Sequence, residues 1–264
     1  MSGIGTSLLH PTAVIHPGAT LGADVRIGPY CVIGEEVEIG DGCELIGHVH
    51  IDGPLRAGPG NKFFPYAAVG AIPQDLKFHG ERSETIIGAN NTFREFVTVH
   101  RGTQGGGGVT RIGNHNLLMA YTHIAHDCII GDHTILANGA TLAGHVIIDD
   151  FAVIGAFTGI HQFCRVGRHS IIGAYSIVTK DVLPFSRTAS ERQCRAYGIN
   201  SEGLKRRGFS SERREKLNHA FRLLCSAKLN TAQAVEKIRE EAGTSEDLEQ
   251  LLNFIETSKR GVIK

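Results

Sequence analysis

From Ile112 every sixth residue is aliphatic: Leu118, Ile124, Ile130, Leu136, Leu142, Ile148, Ile154, Ile160, Val166, Ile172 and Val178. The residue four places on in each hexad is small or β-branched, as at Asn116, Thr122, Cys128, Thr134, Ala140 and Val146. A period of six suits neither an amphipathic helix nor an alternating strand. It is an internal repeat, and it predicts a parallel β-helix in which each hexad forms one short strand and one corner. The aliphatic residue fills the interior and the small one fits under the corner. Chance spacing does not hold phase through so long a stretch.

The same period runs from Leu9 through Ile15, Leu21, Ile27, Ile33, Ile39, Leu45, Ile51, Ala57 and Phe63 to Val69. Gly22, Gly28, Gly34 and Gly40 follow their aliphatic residues directly, where corners call for glycine's backbone freedom. Residues 70–86 break the phase with a polar insertion, and residues 103–111 break it again with TQGGGGVTR. Long loops leaving a regular scaffold are usually functional or disordered. The four glycines predict mobility; Gln74-Asp75-Leu76-Lys77 predicts a site.

The period stops at Val182. Residues 1–183 form the expected β-helix domain, and residues 184–264 a linker to about residue 200 followed by a helical domain. Three helices are expected there. Ser210-Ser211-Glu212 begins one with the stripe Leu217, Ala220, Phe221 and Leu224; Thr231 begins another with Val235 and Ile238 inward; Ser245-Glu246-Asp247 begins a third. Such a unit caps an end that would otherwise expose apolar interior and strand edges.

Composition excludes several classes. The formal charge is zero, so no global basic field points to nucleic acid. Cys31, Cys43, Cys128 and Cys164 occupy small hexad positions and read as packing residues, and no C-x-x-C occurs. The opening MSGIGTSLLHPT lacks the basic and apolar regions of a signal peptide, and no run of about twenty apolar residues follows. A reduced, cytoplasmic protein is expected.

Three hexads close one triangular coil, so residues eighteen apart stack. His126, Gly144 and Gln162 then share a column, with His145 and His161 beside it. If the glycine loop deletes no face, Val99 lies one coil below Ile124 and brings His100 to the same wall. His123 ends the preceding hexad and is expected to turn another way. One histidine on a coil is usually structural; four in one register over about 15 Å are a site. Histidine is the natural general base near neutral pH, and a neighbouring glycine can offer its N–H to an oxyanion. Asp127 either sits solvated at its corner or orients the imidazole. Zinc is the competing reading, but it needs three ligands converging at about 2.0 Å. Residues stacked over several coils are not expected to converge without a second subunit. A non-enzymatic solenoid is the third reading, which the gathered histidines and the Gln74–Lys77 insertion oppose.

Thr122-His123-Ile124-Ala125-His126-Asp127, Thr141-Leu142-Ala143-Gly144-His145-Val146 and Ile160-His161-Gln162-Phe163-Cys164 resemble the UDP-N-acetylglucosamine O-acyltransferases that begin lipid A synthesis. Gln74-Asp75-Leu76-Lys77, Val99-His100-Arg101-Gly102-Thr103 and the stretch from Asn200 to Phe209 match as well, so the likeness covers essentially the whole chain. It implies a left-handed parallel β-helix with a C-terminal helical domain, assembled as a homotrimer. It also implies transfer of an (R)-3-hydroxyacyl group from acyl carrier protein to the glucosamine 3-hydroxyl of UDP-N-acetylglucosamine, with no cofactor or metal. By the resemblance His126 is the base, Asp127 assists it and Gly144 supplies an oxyanion N–H. Asp75, Lys77, His100, His123, His145, His161, Gln162, Asn200, Glu202, Arg206 and Arg207 hold substrates at a site between subunits. Ala174 stands where the family often has the glycine that limits acyl length. The sibling N-acyltransferase is the runner-up, but it carries a separate N-terminal uridine-binding domain, whereas these coils start near Leu9. Lys205, Arg206, Arg207, Arg213, Arg214 and Lys216 crowd one place, as a solvated face or as a dock for an acidic acyl carrier protein.

Overall fold

The computed structural model describes residues 8–190, 194–226, 228–243 and 245–264. Among the described residues, strands of mostly two residues line up in three sheets of eleven, nine and ten strands, parallel except for one final hairpin. Each strand pairs with the third one after it, as Ile124 pairs with Leu142 and Leu142 with Ile160. One coil is therefore eighteen residues and three strands, as the period requires. The two insertions lengthen single coils without removing a face. Phe63 pairs with Phe93 across the first, and Val99 with Ile124 across the second.

The interior is one continuous column. From Ile27 to Val182 the aliphatic hexad residues are buried, and the small residues, including Cys31, Cys43, Cys128 and Cys164, are buried with them. One corner column carries asparagines. Asn61 Oδ1 accepts from Asn91 Nδ2 at 2.9 Å, and Asn91 Oδ1 accepts from the Asn116 N–H at 2.9 Å. This ladder satisfies backbone groups that a coil interior would otherwise leave unpaired.

The glycines play a different part from the one expected. Positive φ falls two residues further on, at Asp24, Tyr30, Glu36 and Gly42, and at mostly non-glycine corners along the helix. Gly28 and Gly40 are needed for space: a Cβ on either would fall on the backbone of the next coil.

The chain beyond Val182 also differs from expectation. Ser186–Ser190 continues the first sheet by pairing with Ile171 and Ile172, and Cys194–Ile199 folds back on it as an antiparallel hairpin. An aliphatic period cannot reveal this extension, because the hairpin lacks the hexad. Among the described residues four helices follow rather than three. The added one, α1 (Ser201–Arg206), is only six residues long, too short for a periodic stripe, and Asn200 caps it. The others are α2 (Ser211–Leu224), α3 (Thr231–Glu241) and α4 (Glu246–Thr257), capped by Ser210, Asn230 and Ser245. Their buried stripes pack with Leu183, Phe185 and Phe209 as a second core. The chain ends by adding Val262–Ile263 as a strand beside Asp181–Val182.

Candidate active site

The histidine wall forms on the edge where the sheet of Ile124 turns into the sheet of Ile130. Asp127 takes a left-handed backbone there, with φ 60°. That conformation swings its side chain beside the preceding one instead of opposite it, and His126 Nδ1 lies 2.8 Å from Asp127 Oδ2. The carboxylate orients the imidazole and has no exposed side-chain surface. It also accepts from the Thr103 N–H at 2.8 Å and the Thr103 hydroxyl at 2.6 Å, while its own N–H donates to Thr110 Oγ1. With Nδ1 donating to the carboxylate, Nε2 carries the free lone pair.

Gly144 stacks on His126 in the expected register. A Cβ there would stand 2.5 Å from the imidazole Cε1, so only glycine leaves room for the ring. The Gly144 N–H donates to no backbone carbonyl among the described residues. His145 meets His126 edge-on at 5.2 Å and stacks on Phe163 at 4.5 Å. Burial lowers the His145 pKa, opposed in part by Asp127 and Asp75. His145 is therefore neutral at pH 7.

His100 lies on the same wall, buried, with its pKa pushed down to about 4 chiefly by desolvation. His123 does not turn away: its ring stands edge-on to His100 at 5.2 Å and its Nδ1 is 2.8 Å from Thr98 Oγ1. It belongs to a strand, so its side chain faces outward over the sheet rather than following the corner.

Asp75 and Lys77 share a cavity of about 780 Å³ with His79, Glu81, Thr103, His145 and Phe163. The insertion thus reaches the histidine edge on its own chain, and no second subunit is needed to bring Asp75 there. The glycine loop is folded onto Asp127 rather than left as a free tether: Gly106 N–H and Gly108 N–H both donate to the Thr103 carbonyl. His161 and Gln162 sit one coil beyond Gly144. His161 is exposed, with Nδ1 3.3 Å from the Arg260 guanidinium.

The remaining candidates lie on other edges. Arg206 and Arg207 line a second cavity of about 500 Å³ with Phe151, Arg168, His169, Phe209, Arg213 and Asp247. Arg207 stacks over Phe151 at 4.2 Å. Phe151 and His169 belong to the edge that leads into the sheet of Ile154, one edge away from His126. Asn200 donates to the His169 carbonyl from its cap on α1, and Glu202 is exposed on that helix. Ala174 is exposed on the third edge, after Ile171–Ile172.

Three of the basic residues are already engaged. Arg213 makes two 2.8 Å hydrogen bonds to the buried carboxylate of Asp247 and stacks on Phe209 at 3.8 Å. Arg214 donates to the Phe209 carbonyl, and Lys216 pairs with Glu212 one turn away. Lys205 is exposed.

Two chemistries fit the edge. The ligand atoms of His126, Asp127 and His145 lie within 4.8 Å of one another. Against the sequence expectation the three groups do converge, because the left-handed corner carries Asp127 in beside both rings. Yet Asp127 Oδ2 accepts two hydrogen bonds already, which makes it an orienting group for His126 more readily than a metal ligand. Thiol chemistry is disfavoured: burial pushes Cys128 up to about 12 and Cys164 up to about 11, so both stay protonated. Sequence reasoning missed Thr103, Phe163 and Arg168, whose importance lies in what they touch. Thr103 closed a stretch that matches the family and stood at the head of an insertion, but neither fact ties it to Asp127.

A carboxylate-held imidazole beside an unobstructed N–H, on a coil of hexads, is an arrangement that suits a hexapeptide-repeat transferase. Residues 18–53 and 110–144 match the model of bacterial transferase hexapeptide repeats, and residues 181–263 match the second domain of UDP N-acetylglucosamine O-acyltransferase. The acyl-[acyl-carrier-protein]–UDP-N-acetylglucosamine O-acyltransferase of Xylella fastidiosa is 50% identical over 98% of both chains. That of Thiobacillus denitrificans is 48% identical over 97% of this chain and 99% of its own. Among solved structures, LpxA of Acinetobacter baumannii (43% identity, TM-score 0.94) and LpxA of Bacteroides fragilis (43%, 0.95) each cover 97% of this chain and 100% of their own. The chain belongs to the UDP-N-acetylglucosamine O-acyltransferase family, and its fold is the left-handed parallel β-helix with C-terminal helices.

Proposed function

We propose that the chain transfers an (R)-3-hydroxyacyl group from acyl carrier protein to the glucosamine 3-hydroxyl of UDP-N-acetylglucosamine, the first step of lipid A synthesis, in the cytoplasm. The observation that carries the mechanism is the His126–Asp127 hydrogen bond beside the Gly144 N–H. His126 Nε2 takes the sugar hydroxyl proton as the oxygen attacks the thioester carbonyl. The tetrahedral oxyanion is held by the Gly144 N–H. On collapse the C–S bond breaks and the phosphopantetheine sulfur takes the proton back from His126. Asp127 holds the tautomer and stabilises the imidazolium between these steps. The scheme uses no metal and no covalent enzyme intermediate.

His100, His123, His145, His161 and Gln162 hold the sugar and acyl chain along the wall, with Asp75 and Lys77 at its cavity. Asn200 and Glu202 help hold the nucleotide sugar and the acyl donor, and Arg206 and Arg207 serve the UDP or phosphopantetheine phosphates, for which the guanidinium fork is suited. Their place on a different edge from His126 supports a homotrimer in which neighbouring subunits complete one site. Residues 1–183 form the catalytic domain in this scheme and residues 184–264 a carrier- and nucleotide-binding one. Ala174 tunes the acyl length accepted. Mass spectrometry of products from a panel of acyl carrier thioesters tests the reading, with UDP-N-acetylglucosamine and a UDP-diamino sugar offered together. The expected product is the 3-O-acyl ester; an amide product alone, or none, contradicts it.

A further inference from the structure

The Asp127 carboxylate is held from outside the coil as much as from within it. Among the described residues its donors are His126 and Thr103. Thr103 supplies two of the three hydrogen bonds, one to each oxygen, and so fixes the carboxylate plane. Thr103 is not part of the hexad pattern; it opens the insertion that follows His100. That insertion is shaped around the carboxylate. A Cβ on Gly106 would fall directly on the Asp127 carboxylate group, and Gly107 and Gly108 turn the chain with φ of 91° and 79°. Gly108 N–H then donates to the Thr103 carbonyl at 2.8 Å, and Glu84 N–H to the Gly108 carbonyl at 2.8 Å. Thr103, Gln104 and Gly105 also line the cavity that holds Asp75 and Lys77.

We propose that Thr103 is a positioning residue for acyl transfer, acting through Asp127 to keep the His126 imidazole aligned. The inference rests on His126 being the base. A carboxylate hydrogen-bonded to the imidazole alone can rotate and carry the ring with it. Clamped at both oxygens by one residue, it presents a single direction to Nδ1. A hydroxyl donating to a charged carboxylate is worth more than a neutral hydrogen bond, so its removal is measurable.

The test is a double-mutant cycle on the full-length enzyme, with steady-state kinetics and a thermal melt for each variant. Thr103→Val removes the hydroxyl and keeps the shape. It is expected to lower kcat about tenfold, the worth of a charge-assisted hydrogen bond, with KM for UDP-N-acetylglucosamine unchanged. Thr103→Ser is expected to restore kcat. In an Asp127→Asn enzyme, adding Thr103→Val should change kcat by less than about twofold, because coupled groups are not additive. Thr103→Ala carries the same expectations should Thr103→Val not fold. Normal kcat in Thr103→Val, or an equal loss in both backgrounds, overturns the proposal. Near-normal turnover in His126→Ala, run alongside, would instead remove the reading beneath it.

Discussion

His126 and Asp127 are consecutive in the chain, yet their side chains meet at 2.8 Å. On a strand, neighbours face opposite sides. The left-handed φ of 60° at Asp127 brings the two together, and the corner holds an imidazole with its carboxylate partner already in place.

The ring also needs the emptiness above it. Gly144→Ala places a methyl group 2.5 Å from the imidazole Cε1, so the ring must rotate out of alignment. The expected result is a fall in kcat of about 10²-fold or more, comparable to losing an oxyanion donor or the base itself. The thermal melt should move by only a few degrees, since the displaced ring lies at the surface edge.

Acid should weaken the fold. His100 and His169 are buried and held neutral, each with a pKa lowered to about 4, first by desolvation. Unfolded histidines titrate near 6.5. Between about pH 6.5 and 4 the unfolded chain therefore binds more protons, and stability is lost as pH falls through that window. Denaturant melts at pH 7 and pH 4.5 should differ by a few kcal/mol. His169→Asn should reduce the difference; an unchanged difference in both His100→Asn and His169→Asn would assign it elsewhere.

Carrier docking should follow the uncommitted cations. Arg213 is tied to Asp247, so Arg213→Glu is expected to destabilise the helical unit by about 3 kcal/mol through a stranded buried carboxylate. Lys205 is exposed, and Lys205→Glu should slow association with acyl carrier protein while sparing UDP-sugar binding. Stopped-flow at several salt concentrations checks this, since exposed charges are screened over about 8 Å at physiological ionic strength. A salt-independent rate, equal in wild type and variant, would return Lys205 to the solvated face.

Chelation separates the two chemistries that the edge permits. Enzyme dialysed against a strong chelator and assayed in metal-free buffer should keep full turnover. Loss of activity restored by zinc would make His126, Asp127 and His145 ligands instead of a base and its supports.

The period of six carried most of the architecture, because an interior filled one aliphatic residue at a time has few other forms. Coil register and the His126–Gly144–Gln162 column follow from counting, and the pairing of Val99 with Ile124 follows once the glycine loop is taken to delete no face. What counting misses is conformation at corners. The swing of Asp127, and the use of Gly28 for close approach rather than for positive φ, depend on backbone angles that residue spacing does not encode. The hairpin after Ser186 and the short α1 were missed because neither carries a period. Arg213 looked like a docking charge because its partner Asp247 is thirty-four residues away.

The proposed chemistry turns on removal of the sugar proton by His126. Single-turnover acyl transfer by His126→Ala, with excess enzyme and both substrates saturating, tests it most directly. The expected rate constant is lower by roughly 10²–10⁴-fold, with the fold intact by circular dichroism. A rate within about threefold of wild type, well short of what a positioned base contributes, would contradict it.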